Sequence, residues 1–141
     1  EVRLDVGLGT FAPIRDDDIS AHQMHSESCA LDAENAAKIA AAKAEGRRVL
    51  AVGTTVLRAL ESLHGQEGAM STDIFLKPGD RFAVVDALIT NFHLPQSTLF
   101  MLVCAFSGTD AIQAAYAHAI TSRYRFFSYG DGCFLEAQNA P

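Results

Sequence analysis

The amino-acid sequence predicts an α/β fold, a layered domain in which helices flank a mainly parallel sheet. Segments with a helical spacing of apolar residues alternate along the chain with short apolar segments. Residues 82–89 are apolar on both faces, as expected of a strand that is covered on both sides. Residues 99–106 are apolar all round, which predicts a buried helix.

Four elements are predicted in the first half of the chain. They are a strand over residues 2–6, a helix over residues 33–45, a strand over residues 49–52, and a helix that carries Val56, Leu60 and Leu63 at helical spacing. Asp32 is a candidate N-cap for the first helix, and Gly46 occupies its C′ position. Thr54 or Thr55 is predicted to cap the second helix.

The second half predicts further strands and two helices. In chain order these are an apolar segment over residues 72–76, a strand over 82–89, a helix over 97–106, a helix after residue 110, and a strand over 125–129. Ser97 is expected to open the buried helix and Gly108 to end it. Asp110 is expected to cap the helix that follows.

Length and composition predict one globular unit, residues 1–141, as a single α/β domain or part of one. The chain has 141 residues, of which 49% are hydrophobic and 20% charged, so it does not belong to the disordered class. The formal net charge of −6 has the wrong sign for a free-standing nucleic-acid binder. The chain begins at Glu1 and enters a strand almost at once, so we expect a portion of a longer, multi-domain protein.

Cysteine spacing and apolar run lengths predict the compartment. Cys29, Cys104 and Cys133 are far apart in the sequence, so neither a disulfide framework nor a zinc knuckle is expected. We expect a cytoplasmic location, where cysteines stay reduced. The apolar run at residues 99–106 is much shorter than the roughly 18 residues of a membrane span. We therefore expect no membrane partner.

The turn at Gly53, Thr54 and Thr55 is a candidate anion site. It lies between an apolar strand and a helix start, where backbone N–H groups and two hydroxyls are free to face a carboxylate. Arg58 lies one turn further on and would add a bidentate contact. The alternative is an ordinary threonine N-cap followed by an exposed arginine.

Polar residues follow the apolar segment 82–89 directly, where an α/β domain places its ligands. Thr90 and Asn91 are candidate binding residues there, and His93 is a candidate for base recognition or proton transfer. The alternative is a turn ended by Pro95. Asp86 falls on the same side of the predicted strand as apolar residues, so its carboxylate is expected to be either paired or functional.

The spacing of His22, His25 and Glu27 resembles a metal-ligand set only superficially. On an extended segment His25 and Glu27 share a face and His22 does not, so we predict no metal. We predict instead that His25 and Glu27 form an oriented acid/base pair, the alternative being satisfied polar groups beside a loop. Residues 7–12 match a dinucleotide-binding pattern in letters, but Pro13 is incompatible with its helix, which favours a glycine turn close to a ligand.

Basic and aromatic residues alternate near the carboxyl end of the chain. Arg125, Tyr129 and Asp131 lie in this segment, whose composition suits base stacking and phosphate contact. The alternative is a helix end followed by a core strand.

Taken together, these segments resemble the S-adenosylmethionine:tRNA ribosyltransferase-isomerases of queuosine biosynthesis. The matching blocks are residues 5–11 with Pro13, His22 with residues 24–27, residues 44–49, 51–55 with Arg58, 60–62, 72–75, 85–95, 97–99 and 124–131. Members of that family are more than twice as long, and the resemblance covers their carboxyl-terminal part.

The resemblance implies an enzyme that transfers the ribosyl group of S-adenosylmethionine to 7-aminomethyl-7-deazaguanine at the wobble position of tRNA and isomerises it, giving epoxyqueuosine and releasing adenine and methionine. It implies S-adenosylmethionine as ribosyl donor, tRNA as acceptor, and a missing amino-terminal portion as partner. The proton-transfer candidates are His25, Glu27, His93 and Asp86. The binding candidates are Gly53, Thr54, Thr55, Arg58, Thr90, Asn91, Arg125, Tyr129 and Asp131. The alternative function is a non-catalytic nucleotide- or anion-binding scaffold module.

Overall fold

The computed structural model describes residues 1–7 and 24–138, which form six strands and four helices. The strands are β1 (Val2–Asp5), β2 (Glu27–Leu31), β3 (Leu50–Val52), β4 (Gly68–Thr72), β5 (Ala87–Asn91) and β6 (Gly132–Glu136). The helices are α1 (Ala33–Ala44), α2 (Thr54–Ser62), α3 (Thr98–Ser107) and α4 (Thr109–Thr121). The predicted α/β class is therefore confirmed.

The strands form two three-stranded sheets, and the expectation of a mainly parallel sheet is wrong. The first sheet has the order β1-β2-β4 and is antiparallel throughout. In the second, of order β3-β5-β6, β3 pairs in parallel with β5, and β5 pairs antiparallel with β6. The burial of β2 alternates along the strand, which is typical of antiparallel sheets with one face toward solvent.

The apolar segment 82–89 is a strand only from Ala87 onward, so the predicted boundary is wrong. The carboxylate of Glu61 on α2, only 5% exposed, accepts hydrogen bonds from the backbone N–H groups of Ala83, Val84 and Val85 at 2.8, 3.0 and 2.9 Å. A side chain thus replaces the neighbouring strand as hydrogen-bond partner, although Val84 and Val85 remain buried as their apolar character predicts.

Two predicted helix caps are confirmed and two are wrong. The side chains of Asp32 and Ser97 accept hydrogen bonds from Asn35 N and Phe100 N at the starts of α1 and α3. Helices α2 and α4 begin one residue after Gly53 and Gly108, and neither glycine can supply a side-chain cap. Glycine replaces Thr54, Thr55 and Asp110 as N-cap because the backbone φ there is positive, +93° and +89°, in the region that favours glycine.

The strand predicted over residues 125–129 is also wrong, since the last strand is β6. The backbone N–H of Arg125 donates to the Asp131 carboxylate, and that of Phe127 donates to the carbonyl of Phe92. Phe127 also has a positive φ of +60°. These contacts fold residues 125–131 into a compact turn instead of a ladder.

One hydrophobic core joins the two sheets. It contains Leu31 from the first sheet, Leu88 from the second, Leu57 of α2 and Phe106 of α3. Within the described residues no single helix is long and apolar enough to cross a membrane, and α3 and α4 pass that test only as a pair bent by 117°. The predicted buried helix, α3, is confirmed as a core element.

Candidate functional site

The carboxyl ends of the parallel strands β3 and β5 lie side by side. Val52 pairs with Ile89, and Gly53 N donates to the carbonyl of Ile89 at 2.8 Å. Helix α2 starts immediately after Gly53, so its first N–H groups open onto the same edge as Thr90. The turn and the polar loop that the sequence singled out separately therefore meet.

A cavity of about 300 Å³ lies at this meeting point. Its lining includes six sequence-predicted residues: Gly53, Thr54, Thr55, Thr90, Asn91 and His93. Phe127 and Ser128 close it from the carboxyl-terminal segment, and Leu94, Ser97 and Leu99 from the start of α3. Residues with backbone donors at a helix start, hydroxyls and an imidazole thus line one cavity.

His93 is held in this cavity by two hydrogen bonds. Its Nε2 lies 3.0 Å from Thr90 Oγ1, and its backbone N donates to the hydroxyl of Tyr116 at 3.0 Å. Burial lowers the pKa of His93 to about 4, so the imidazole is neutral at pH 7. The neutral ring is the form that accepts a proton.

Tyr116 is a supporting residue that the sequence reasoning missed. Its ring packs edge-on against Phe92, Phe100 and Phe126. Burial raises the pKa of Tyr116 to about 12, so the hydroxyl stays protonated. The sequence signal was its place on the apolar face of α4, which showed a core position but not the contact with His93.

A second cavity of about 570 Å³ shares Gly53, Thr90 and Asn91 with the first. Asp131 and Cys133 also line it, and burial raises the pKa of the Cys133 thiol to about 11. That thiol is therefore protonated at neutral pH and is a poor nucleophile.

The segment from Arg125 to Asp131 is braced at the rim of these cavities. Asp131 Oδ2 accepts from Arg125 N at 2.6 Å and from Arg125 Nε at 3.2 Å. These bonds, the backbone one first, lower the pKa of Asp131 and keep it ionised. Asn91 Nδ2 donates to the Asp131 carbonyl at 3.2 Å, while Tyr129 is 70% exposed.

Glu27 and Arg58 form a buried ion pair away from these cavities. Arg58 Nη2 lies 2.6 Å from Glu27 Oε2, with side chains 3% and 0% exposed, and Gly7 N donates to Glu27 Oε1 at 3.1 Å. His25 is exposed. The structure thus pairs Glu27 with Arg58, and a joint proton-transfer role of His25 and Glu27 stays a prediction, as does a ligand contact of Arg58.

Asp86 lies at the amino end of β5, opposite the end that meets the cavities. Its two carboxylate oxygens each lie 3.0 Å from Lys43 Nζ, and Oδ2 also accepts from Val49 N at 2.8 Å. The sequence left this buried carboxylate to be either paired or functional, and its observed contacts are those of a paired carboxylate. A catalytic role of Asp86 has no supporting contact in the described residues.

Some sequence predictions fall outside the described residues. Gly9, Pro13 and His22 belong to this group, and the predicted glycine turn and the spacing of His22 from His25 therefore lie outside the described residues in whole or in part. Among residues 1–7 and 24–138, no group of three or more His, Cys, Asp or Glu side chains is placed to hold a metal ion.

Fold and site together define an α/β domain with a cavity lined by polar residues at the carboxyl edge of a parallel strand pair. The structure is similar to the crystal structure of S-adenosylmethionine tRNA ribosyltransferase from Thermotoga maritima, with a TM-score of 0.72 and 44% identity over 77% of this chain and 40% of that one. Residues 1–135 match the family described as "Queuosine biosynthesis protein". The chain belongs to this family.

Curated relatives agree with that membership. The chain is 61% identical over 140 residues to the S-adenosylmethionine:tRNA ribosyltransferase-isomerase of Maricaulis maris, covering 96% of this chain and 40% of the relative. It is 57% identical over 145 residues to the protein of the same name from Methylorubrum extorquens, covering 99% and 39%. The chain therefore spans about 40% of the length of these relatives.

Proposed function

We propose that the chain is the carboxyl-terminal portion of an S-adenosylmethionine:tRNA ribosyltransferase-isomerase. The full-length enzyme transfers the ribosyl group of S-adenosylmethionine to 7-aminomethyl-7-deazaguanine at the tRNA wobble position and isomerises it to the epoxycyclopentane of epoxyqueuosine. Adenine and methionine leave. Family membership supports the class of reaction, and the relatives' names indicate both substrates.

The observation that carries the proposal is the smaller cavity, which is lined both by the turn at Gly53, Thr54 and Thr55 at the start of α2 and by the neutral His93. The donor is a cation at sulfur with a carboxylate at one end and a purine at the other. The N–H groups and hydroxyls of Gly53, Thr54 and Thr55 suit the carboxylate because a helix start favours negative charge. Thr90 and Asn91 supply further polar groups on the same wall.

His93 is the proton-transfer candidate that this cavity favours. The reaction needs a base for a proton beside the sulfonium and an acid for the departing adenine. His93 lines the cavity and its imidazole is neutral at pH 7, which supports its choice as the base. In the described part of the chain, His25, Glu27 and Asp86 do not line either cavity. S-adenosylmethionine is consumed as a substrate, and the proposed chemistry uses no metal.

The direct test incubates the full-length enzyme with S-adenosylmethionine labelled in its ribosyl carbons and tRNA that carries 7-aminomethyl-7-deazaguanine. We expect label in the RNA, and none in the same tRNA with guanine at that position. Thermal stabilisation by S-adenosylmethionine, about 2.7 kcal/mol at a hundred times Kd, with no transfer of label would instead support a scaffold module.

A further inference from the structure

The larger cavity has an apolar floor formed by one row of side chains across three strands. Val52, Ile89 and Phe134 are consecutive partners in the β3-β5-β6 register, so they lie side by side on the same face. They are 63%, 41% and 55% exposed, and all three line the cavity. A flat row of this kind, with an aromatic ring at one end, suits the face of a planar ring system.

The rim of the same cavity carries the carboxylate of Asp131, which is paired with Arg125. Asp131 is one third exposed, and both hydrogen bonds that its carboxylate accepts from Arg125 are made by Oδ2. Arg125 holds this carboxylate in position from a backbone and a side-chain nitrogen. An ionised, fixed carboxylate beside an apolar floor favours a planar ligand that carries N–H donors or an ammonium group.

The two cavities meet at a shared wall made of Gly53, Thr90 and Asn91. A transfer between two substrates requires that their reacting atoms come together while the rest of each molecule occupies separate space. The smaller, more enclosed cavity is lined by the turn at Gly53, Thr54 and Thr55 and by His93. The larger and more open one has room for a base that enters while still attached to an RNA chain.

We propose that the larger cavity binds the acceptor base, with the deazaguanine ring stacked on Phe134 and the row Val52–Ile89, and with its aminomethyl group or amine donors facing Asp131. This inference rests on the proposed function and assigns the two substrates of that reaction to two cavities. It makes Phe134 a binding residue for RNA and not for S-adenosylmethionine.

The test compares Phe134→Ala with Leu50→Ala in the full-length enzyme. Leu50 is a matched control because it is 48% exposed on the same sheet face but does not line the cavity. We expect Phe134→Ala to raise the Kd for tRNA carrying the aminomethyl base about tenfold or more, the usual effect of losing one stacked base. The Kd for S-adenosylmethionine should stay unchanged, and Leu50→Ala should alter neither.

Asp131→Asn gives a second readout, the preference between two bases in the tRNA, which a folding defect would not change. Loss of the charge should reduce the preference for the aminomethyl base over guanine in otherwise identical tRNA, about tenfold. An unchanged preference would overturn the role of Asp131.

Four further outcomes would overturn the assignment. If Phe134→Ala weakens S-adenosylmethionine binding instead, the cavities are assigned the wrong way round. If Phe134→Ala and Leu50→Ala both lower Tm and leave RNA affinity intact, the sheet face is covered by protein. If the wild-type enzyme transfers no label, both the proposed function and this inference are wrong. If the wild-type enzyme is active and Phe134→Ala binds tRNA normally, only the inference is wrong.

Discussion

His93 shows how burial sets the protonation state of a single residue at this site. Its pKa of about 4 lies below the ordinary 6.5, so the unfolded chain takes up a proton at a higher pH than the folded one. Stability from this group is fully present above about pH 6.5 and is lost as the pH falls through 4. The fold thus keeps the ring neutral, and the free energy of unfolding therefore decreases in acid.

We therefore predict that His93→Gln reduces the acid sensitivity of the fold. Between about pH 7.5 and about pH 4.5, the free energy of unfolding should fall by roughly 2–3 kcal/mol less than in the wild type. Urea unfolding at the two pH values measures this. His118→Gln, which changes an exposed histidine on α4, is the control and should behave as the wild type. An unaltered pH dependence in His93→Gln would show that the ring is solvated.

Arg58 is buried in an ion pair, so we expect its substitution to lower the stability of the fold. Arg58→Met would leave the Glu27 carboxylate buried without its cation, so we predict a stability loss of about 3–5 kcal/mol in urea unfolding. The double variant Glu27→Gln, Arg58→Met should lose less. Lys38→Met is a control, because it breaks an exposed ion pair with Glu34 and should cost about 0.5 kcal/mol or less. Unchanged stability with weaker S-adenosylmethionine binding would favour the ligand contact that the sequence suggested.

The β3-turn-α2 element carries the site, and its conformation depends on Gly53. Gly53 and Gly46 both have positive φ, +93° and +70°, and an added Cβ meets nothing within 4 Å at either. We predict that alanine costs about 1–2 kcal/mol of stability at each position through backbone strain alone. Only Gly53→Ala should also weaken S-adenosylmethionine binding, because Gly46 lies at the end of α1. Equal ligand affinity in both variants would place the donor elsewhere.

At the scale of elements, the sequence predicted helices better than strand limits. Asp32 and Ser97 announce α1 and α3 because short polar side chains accept the first helical N–H groups, a local signal. The apolar run before Ala87 could not be assigned correctly because its hydrogen bonds go to Glu61, which is more than 20 residues away in the chain. The spacing of apolar residues cannot predict a hydrogen-bond partner that is so far away in the sequence.

The candidate site was also predictable only in part, because local signals mark its residues and long-range contacts bring them together. Gly53, Thr90 and His93 could be found because polar residues after apolar strands mark a sheet edge. Their convergence depends on the parallel register of β3 with β5, which no local pattern fixes. The ion pair of Glu27 with Arg58 could not be predicted, because only the tertiary fold brings β2 against α2.

The whole described molecule shares one core, so we expect it to unfold cooperatively. Helix α3 contains Leu102, Val103 and Phe106, each 2% exposed or less. Its amides should be among the slowest to exchange with deuterium, at rates set by global unfolding. Exchange in α3 as fast as in loops would mean that the core opens locally in this chain.

The central claim is that the smaller cavity is the donor site and His93 its proton-transfer group. The most direct measurement is the single-turnover rate of label transfer from S-adenosylmethionine to tRNA in full-length His93→Gln enzyme, with His118→Gln as control. We predict a loss of about a hundredfold or more with an unchanged Kd for S-adenosylmethionine, and a normal rate in the control. A near-normal transfer rate in His93→Gln would contradict the claim.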